Sequence, residues 1–264
     1  MNEIMIHYPH ENQFIFSFVV VRPSVEGVRN VFSSCAKSGS VKRVVHTSSI
    51  AAVMRVNEPA GHTFDESDYN TFSTVENGDA YGLAKRVAEQ AAFKLASESG
   101  SFDCVAINPS VVLGECLSRA HTKATPVILR QCLYGNPVQD FCGNYVDVRD
   151  VAEAHVQALR RDVGGRRFIV TSDAPPCFVS QLADPAQRLF PNYELNTRPS
   201  ISPWAWWALS WVSVVPVVGP MVLPPAQRMS VEKTFYFKNT QAKKDLGITF
   251  HTLDDMYVLN IPVL

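Results

Sequence analysis

Short β-branched runs alternate with helix-length amphipathic stretches from residue 22 to residue 171. A chain patterned this way has few choices. Strands separated by helices pair in parallel, and the crossing helices cover the faces of the sheet. Val25, Val28, Val31, Phe32 and Cys35 recur at helical spacing behind Pro23, a residue suited to a first helical turn, and the pattern stops at Gly39. Residues 41–46 form a β-branched run that ends at Thr47, Ser48 and Ser49. A loop rich in Glu, Asp, Asn and Gly spans 57–79, and a helix is predicted over 80–99 with Leu83, Val87, Ala91 and Leu95 four apart. Residues 102–108 read as the next strand, closed by Pro109. Helices are predicted at 127–134 and 148–160, the second with Val151, His155 and Leu159 on one face. A further strand at 166–171 precedes a helix at 178–190 that Pro185 interrupts. The fold class is α/β.

Composition narrows the function. At 46% hydrophobic and 19% charged, the 264 residues suit a globular protein and not a disordered one. Twenty-four basic residues against 25 acidic ones, with no basic block, argue against nucleic acid as a partner. Only 13 glycines occur, the first is Gly27, and no G-x-G is present, which excludes a Gly-rich nucleotide loop within these residues. The six cysteines (Cys35, Cys104, Cys116, Cys132, Cys142, Cys177) form no C-x-x-C and no ligand-like spacing with the seven histidines, so they read as small buried hydrophobes rather than a disulfide frame or metal site. The apolar run 14–21 is preceded by Glu3 and Glu11 and by no Lys or Arg, which does not suit a secretory leader, and the expected location is cytoplasmic.

The tail differs in character. Residues 199–227 carry no charge, and Trp204, Trp206, Trp207 and Trp211 fall inside eight positions. The twenty residues 204–223, from Trp204 to Leu223, are long enough to span a bilayer, but Pro216, Gly219 and Pro220 would break a spanning helix. Three readings stay open: a helix capping an apolar pocket or forming an interface, contact with the cytoplasmic face of an internal membrane, and a span.

The chemistry concentrates at Tyr81-Gly-Leu-Ala-Lys85, a Y-x-x-x-K. Eight Tyr and nine Lys in this length would give the motif about 0.3 times by chance, so its placement matters more than its presence. Residues four apart share a helical face, where an ammonium can stabilise a neighbouring phenolate and let the phenol trade a proton with a substrate oxygen. Ser49 or Ser48 ends a strand, where open α/β sheets bind ligands, and can hold that oxygen.

Six stretches in this order resemble the extended short-chain dehydrogenase/reductases of the NAD-dependent epimerase/dehydratase superfamily, in the dihydroflavonol reductase, cinnamoyl-CoA reductase and 3β-hydroxysteroid dehydrogenase group. They are RPSVEGVRNV at 22–31, VKRVVHTSSIAAV at 41–53, YGLAKRVAEQAA at 81–92, AINPSVVLG at 106–114, YVDVRDVAEAH at 145–155 and NTQAKKDLG at 239–247. The resemblance implies a Rossmann-like parallel sheet and NADP or NAD as cofactor. It implies that Ser49 orients a substrate carbonyl, Tyr81 is the acid/base, and Lys85 supports Tyr81 and bonds the nicotinamide ribose. The segment from Pro109 to Val112 would lie along the nicotinamide, residues 145–150 would organise the loop beside the site, and His155 would be packed. The family's opening strand, G-x-x-G-x-x-G turn and helix have no match here. By this resemblance the first three or four strands, on the order of 80–100 residues, are absent or replaced. The remaining sheet would then expose an edge, with residues 14–21 a candidate substitute strand.

The expected organisation is an atypical segment at 1–21, a partial NAD(P)-binding core at 22–172 and a C-terminal substrate-binding region at 173–264. The expected function is NAD(P)-dependent oxidoreduction of a CH–OH or carbonyl group on a small, bulky hydrophobic substrate through Ser49, Tyr81 and Lys85. A 3β-hydroxysteroid dehydrogenase-type enzyme with membrane contact and a truncated, catalytically silent reductase stand as alternatives. A sugar-nucleotide epimerase ranks below them because the tail is apolar.

Overall fold

The computed structural model describes residues 17–115, 118, 141–189, 191 and 233–258. Its centre is a three-stranded parallel sheet of β1 (Arg43–Thr47), β2 (Asp103–Pro109) and β3 (Arg167–Val170), ordered as in the chain. Arg43 pairs with Asp103 and Thr47 with Ile107, while Ala106 pairs with Arg167 and Pro109 with Val170. Helices α1 (Arg22–Ser38) and α2 (Ala80–Ser99) cover one face, and α3 (Val148–Arg160) covers the other. The α/β expectation holds.

β2 is apolar from Cys104 to Ile107 because both its faces are buried. Cys104 packs with Val28 and Phe32 of α1 and with Ala88 and Ala92 of α2. Val105 and Ile107 meet Ala154 and Ala158 of α3, together with Leu246 and Ile248. On α2 the predicted stripe Leu83, Val87, Ala91, Leu95 is only half-buried. The buried ridge is instead Ala80, Ala84, Ala88, Ala92 and Ala96, whose short side chains let the helix lie close against the sheet. On α3, likewise, Ala154 and Ala158 are buried whereas Leu159 is exposed.

The substitute strand expected at 14–21 does not form. Ser17–Val21 is a wide helical turn that runs directly into α1, and residues 14–16 lie outside the described residues. Pro23 has no N–H, and its ring crowds the carbonyl four residues back, so the turn before it widens. Ser24 Oγ donates to the Val20 carbonyl at 2.7 Å. Val20 and Val21 pack on Val75, Leu83 and Ala84. Among the described residues β1 pairs as a strand only with β2.

The interrupted helix predicted at 178–190 is a tight turn, Val179–Leu182, followed by α4 (Ala183–Leu189), so Pro185 falls in a first turn that tolerates it. Tyr236–Phe237 pairs in parallel with Thr63–Phe64, where Phe235 and Phe237 pack on Phe64. Met256 of α5 (Leu253–Val258) closes a second cluster with Leu113, Tyr145, Val179 and Leu182. The helix predicted at 127–134 and the Trp-rich stretch 204–223 lie outside the described residues. Among the described residues no helix is long and apolar enough to cross a membrane.

Candidate active site

The carboxyl ends of the three strands carry a row of polar groups. Ser48 donates its N–H to the Ile107 carbonyl at 2.7 Å, Ser110 to Val170 at 3.0 Å and Ser172 to Tyr145 at 3.0 Å. All three serines are buried, and their hydroxyls have no hydrogen-bond partner among the described residues. Native interiors rarely leave such groups unpaired, so this edge of the sheet is equipped for something polar.

Ser49 is extended and caps the turn Ile50–Ala52, its Oγ accepting the Ala51 N–H at 3.1 Å. Its own O–H remains available to donate. Tyr81 stands in the first turn of α2, whose cap Asp79 accepts the Gly82 N–H at 2.9 Å. Tyr81 is 55% exposed, and Lys85 Nζ lies 5.6 Å from the centre of its ring. The phenol and ammonium therefore share one face of the helix, and the phenol reaches solvent.

Two sets of hydrogen bonds tie the Ser49 turn to α2. Asn70 donates its N–H to the Ala52 carbonyl and its Nδ2 to the Ala51 carbonyl, both at 2.8 Å. Asn70 Nδ2 also meets Ser73 Oγ at 2.7 Å, and that hydroxyl donates to Asp79. On the other side Asn108 Nδ2 donates to the Ser49 carbonyl at 3.0 Å and to Glu89 Oε2 at 2.6 Å. Glu89 Oε1 accepts from Arg167 Nε at 2.5 Å, and Arg167 Nη1 also donates to the Glu66 and Asp68 carbonyls. Glu89 and Asn108 are fully buried.

Gly82 is required by this packing. A Cβ there would stand 2.7 Å from both Asn70 Nδ2 and Ser73 Oγ and would also collide with Asp79.

Pro109 is buried at the end of β2, and Val112 is half-buried against the core. Asp147 caps α3 and holds Arg149, while Asp150 accepts the His251 N–H at 2.9 Å and meets His251 Nδ1 at 2.5 Å. His155 Nδ1 lies 2.7 Å from the Val151 carbonyl and Nε2 lies 2.7 Å from Thr47 Oγ1. A carbonyl only accepts, so Nδ1 carries a proton and donates it to Val151. His155 thus fastens α3 to β1.

Burial pushes the Cys104 thiol up to about 12 and the Cys177 thiol to about 11, so neither is a thiolate at neutral pH. Burial also holds His46 on β1 below the ordinary histidine range; Lys85 and His155 push in the same direction and Glu89 opposes them. Among the described residues no group of three or more His, Cys, Asp or Glu side chains could hold a metal.

Gly82, Glu89, Asn108 and Arg167 were not singled out by the sequence reading. Two signals were available: Glu89 follows Lys85 by four on the alanine-lined side of α2, and Asn108 interrupts an otherwise apolar strand. The exposed phenol beside Lys85 and the strand-end hydroxyls fit the nicotinamide–ribose end of a dinucleotide. No G-x-G turn in the 264 residues offers the N–H cradle that a pyrophosphate needs.

Residues 15–170 match the NAD dependent epimerase/dehydratase family. Cinnamoyl-CoA reductase 1 of Arabidopsis thaliana is 36% identical over 186 residues, a match covering 68% of this chain and 52% of that protein. Cinnamoyl-CoA reductase CAD2 of Medicago truncatula is 32% identical over 187 residues, covering 68% and 55%. The chain thus spans about half the length of the curated relatives it matches. The crystal structure of yeast methylglyoxal/isovaleraldehyde reductase Gre2 complexed with NADPH superposes with a TM-score of 0.71 at 23% identity, covering 96% of this chain and 72% of that one.

Proposed function

The chain belongs to the NAD dependent epimerase/dehydratase family, and from that premise we propose that it is an NAD(P)-dependent oxidoreductase acting on a carbonyl or CH–OH group through Ser49, Tyr81 and Lys85. The observation that carries this reading is the exposed Tyr81 phenol with Lys85 Nζ over its ring, on a helix tied by hydrogen bonds to the Ser49 turn.

In the reducing direction Ser49 O–H donates to the substrate oxygen and holds it. Tyr81 passes its phenolic proton to that oxygen, and the Lys85 ammonium stabilises the phenolate left behind. The reduced cofactor, NADPH or NADH, would when bound supply the hydride for the adjacent carbon. One hydride to carbon and one proton to oxygen make the alcohol; the reverse steps make the carbonyl. Tyr81, Lys85, Pro109 and Val112 form the nicotinamide side of the site, within a core at 22–172 that works with a substrate region at 173–264. The uncharged, Trp-rich sequence at 199–227 favours a bulky apolar substrate. So do relatives named for cinnamoyl-CoA reduction.

A second reading, a catalytically silent reductase, has its own support in the lack of a G-x-G in the sequence and in β1, which among the described residues pairs only with β2. Turnover of a panel of aromatic and aliphatic aldehydes and ketones at millimolar NADPH separates the two. The oxidoreductase reading expects wild-type turnover that Tyr81→Phe lowers by about 100-fold or more while NADPH affinity stays nearly unchanged. Retained turnover in Tyr81→Phe removes that residue from the acid/base role. No wild-type turnover at any NADPH concentration favours the silent protein.

A further inference from the structure

Tyr81 and Lys85 lie on α2 between two residues that are both tied to the Ser49 turn. On the N-terminal side stands Asp79, reached from Ala51 and Ala52 through Asn70 and Ser73. On the C-terminal side stands Glu89, reached from the Ser49 carbonyl through Asn108. We propose that these two ties form a positioning frame for the reacting groups, with Asn108 as the residue that sets it; this rests on the roles proposed above for Ser49, Tyr81 and Lys85.

The chemistry at position 108 is specific. Both of its partners, the Ser49 carbonyl and the Glu89 carboxylate, can only accept. Asn108 meets them with Nδ2, whose two hydrogens serve both, while its Oδ1 is buried without a partner among the described residues. A flipped amide would aim an oxygen at two acceptors, so the orientation is fixed by need. Leu has nearly the size and no donor; Asp has the shape and would set a second carboxylate beside Glu89.

Arg167 then makes Glu89 immovable. Its Nε bonds Glu89 Oε1, its Nη1 bonds two carbonyls of the 66–68 loop, and its guanidinium stacks 3.8 Å from the centre of the Tyr69 ring. Glu89 therefore spends one oxygen on β3 and the other on Asn108 of β2. The helix bearing Tyr81 and Lys85 is thereby locked in register with the two strands and with the Ser49 turn. None of these framing groups need touch a substrate: Asn70, Ser73, Glu89 and Asn108 are at most 1% exposed.

The test is carried out on the full 264-residue chain with Asn108→Leu, which removes both donors at similar size, and Asn108→Ser, which keeps one donor. Amide exchange is read by mass spectrometry in a peptide covering 47–54 and in a control peptide covering α3. The frame predicts exchange at 47–54 about tenfold faster in Asn108→Leu, an intermediate rate in Asn108→Ser, and little change in α3. Equal acceleration in both peptides, or none in 47–54, overturns it, and Asn108→Ser decides alone if the leucine variant does not fold. In turnover assays kcat should fall about tenfold in Asn108→Leu at unchanged KM for NADPH. An unchanged kcat despite faster exchange would also overturn the positioning role. Wild-type protein that turns nothing over sinks the oxidoreductase reading alone, because the exchange ratio still decides whether Asn108 holds the Ser49 turn.

Discussion

β1 and β3 are the two outer strands of one sheet, yet among the described residues one is closed on its outer side and the other open. All four residues of β3 are buried, and the Ile169 N–H, which points away from β2, is met by Glu66 Oε1 at 3.2 Å. Arg167, also facing outward along its backbone, spends its side chain on Glu89 and the 66–68 loop. On β1 the Lys42 carbonyl and the Ser48 N–H bond to β2, so the alternation of a parallel ladder turns the N–H groups of Arg43, Val45 and Thr47 away from it. Val44, Val45 and His46 are only half-buried. Ser49, proposed to hold the substrate oxygen, follows β1, and the bonds through Asn108, Glu89 and Arg167 join its turn to β3. The 264 residues contain no G-x-G turn to cradle a dinucleotide's pyrophosphate.

The largest expected effect breaks the closed side. Arg167→Met leaves the fully buried Glu89 carboxylate without its cation and should cost about 3–5 kcal/mol, read as a lowered urea midpoint, with unfolding at neutral pH as the extreme. A loss below about 1 kcal/mol would mean that the pair does not close that half.

Gly82→Ala comes next. An exposed helical glycine gains up to about 1 kcal/mol from alanine, whereas the contacts with Asn70, Ser73 and Asp79 predict a net loss of about 1–3 kcal/mol. A raised urea midpoint would show that the turn yields instead of resisting.

A smaller effect sharpens the open side. Amide exchange followed by NMR should find Val44 and His46, bonded to β2, slower by at least about tenfold than Val45 and Thr47. Equal protection at all four would mean that something pairs with β1.

The smallest effect lies on the same strand. His46 is held below the ordinary histidine range by burial, so the unfolded chain takes up a proton that the folded one refuses. Its contribution is absent above the unfolded value near 6.5 and destabilises as pH falls from there toward the lower folded value. His46→Phe should therefore flatten the loss of urea stability between about pH 7 and 5. An unchanged slope would clear His46 of that role.

Much of this was legible in the sequence, for identifiable reasons. Helices over 80–99 and 148–160 match α2 and α3 because Asp79 and Asp147 cap their starts and Gly100 ends the first with a positive φ of 61°. The strand ending at Ser48 and Ser49, and Tyr81 four before Lys85, were readable because local spacing determines them. The ties among Asn108, Glu89 and Arg167 were not, since 19 residues separate the first pair and 78 the second, and only the folded sheet brings them together. The apolar run 14–21 fits a strand or a helix equally, and over its described part, Ser17–Val21, Pro23 with the Val75–Ala84 surface decides for a helical turn.

Calorimetric titration of the 264-residue chain with NADPH and, separately, with reduced nicotinamide mononucleotide tests most directly whether the chain holds a nicotinamide site without a pyrophosphate cradle. If it does, the two bind with affinities within about threefold of each other, because the phosphate-binding turn that would favour the dinucleotide is missing. NADPH bound about 100-fold more tightly than the mononucleotide would contradict this, since the extra affinity would require a pyrophosphate or adenine site within these residues.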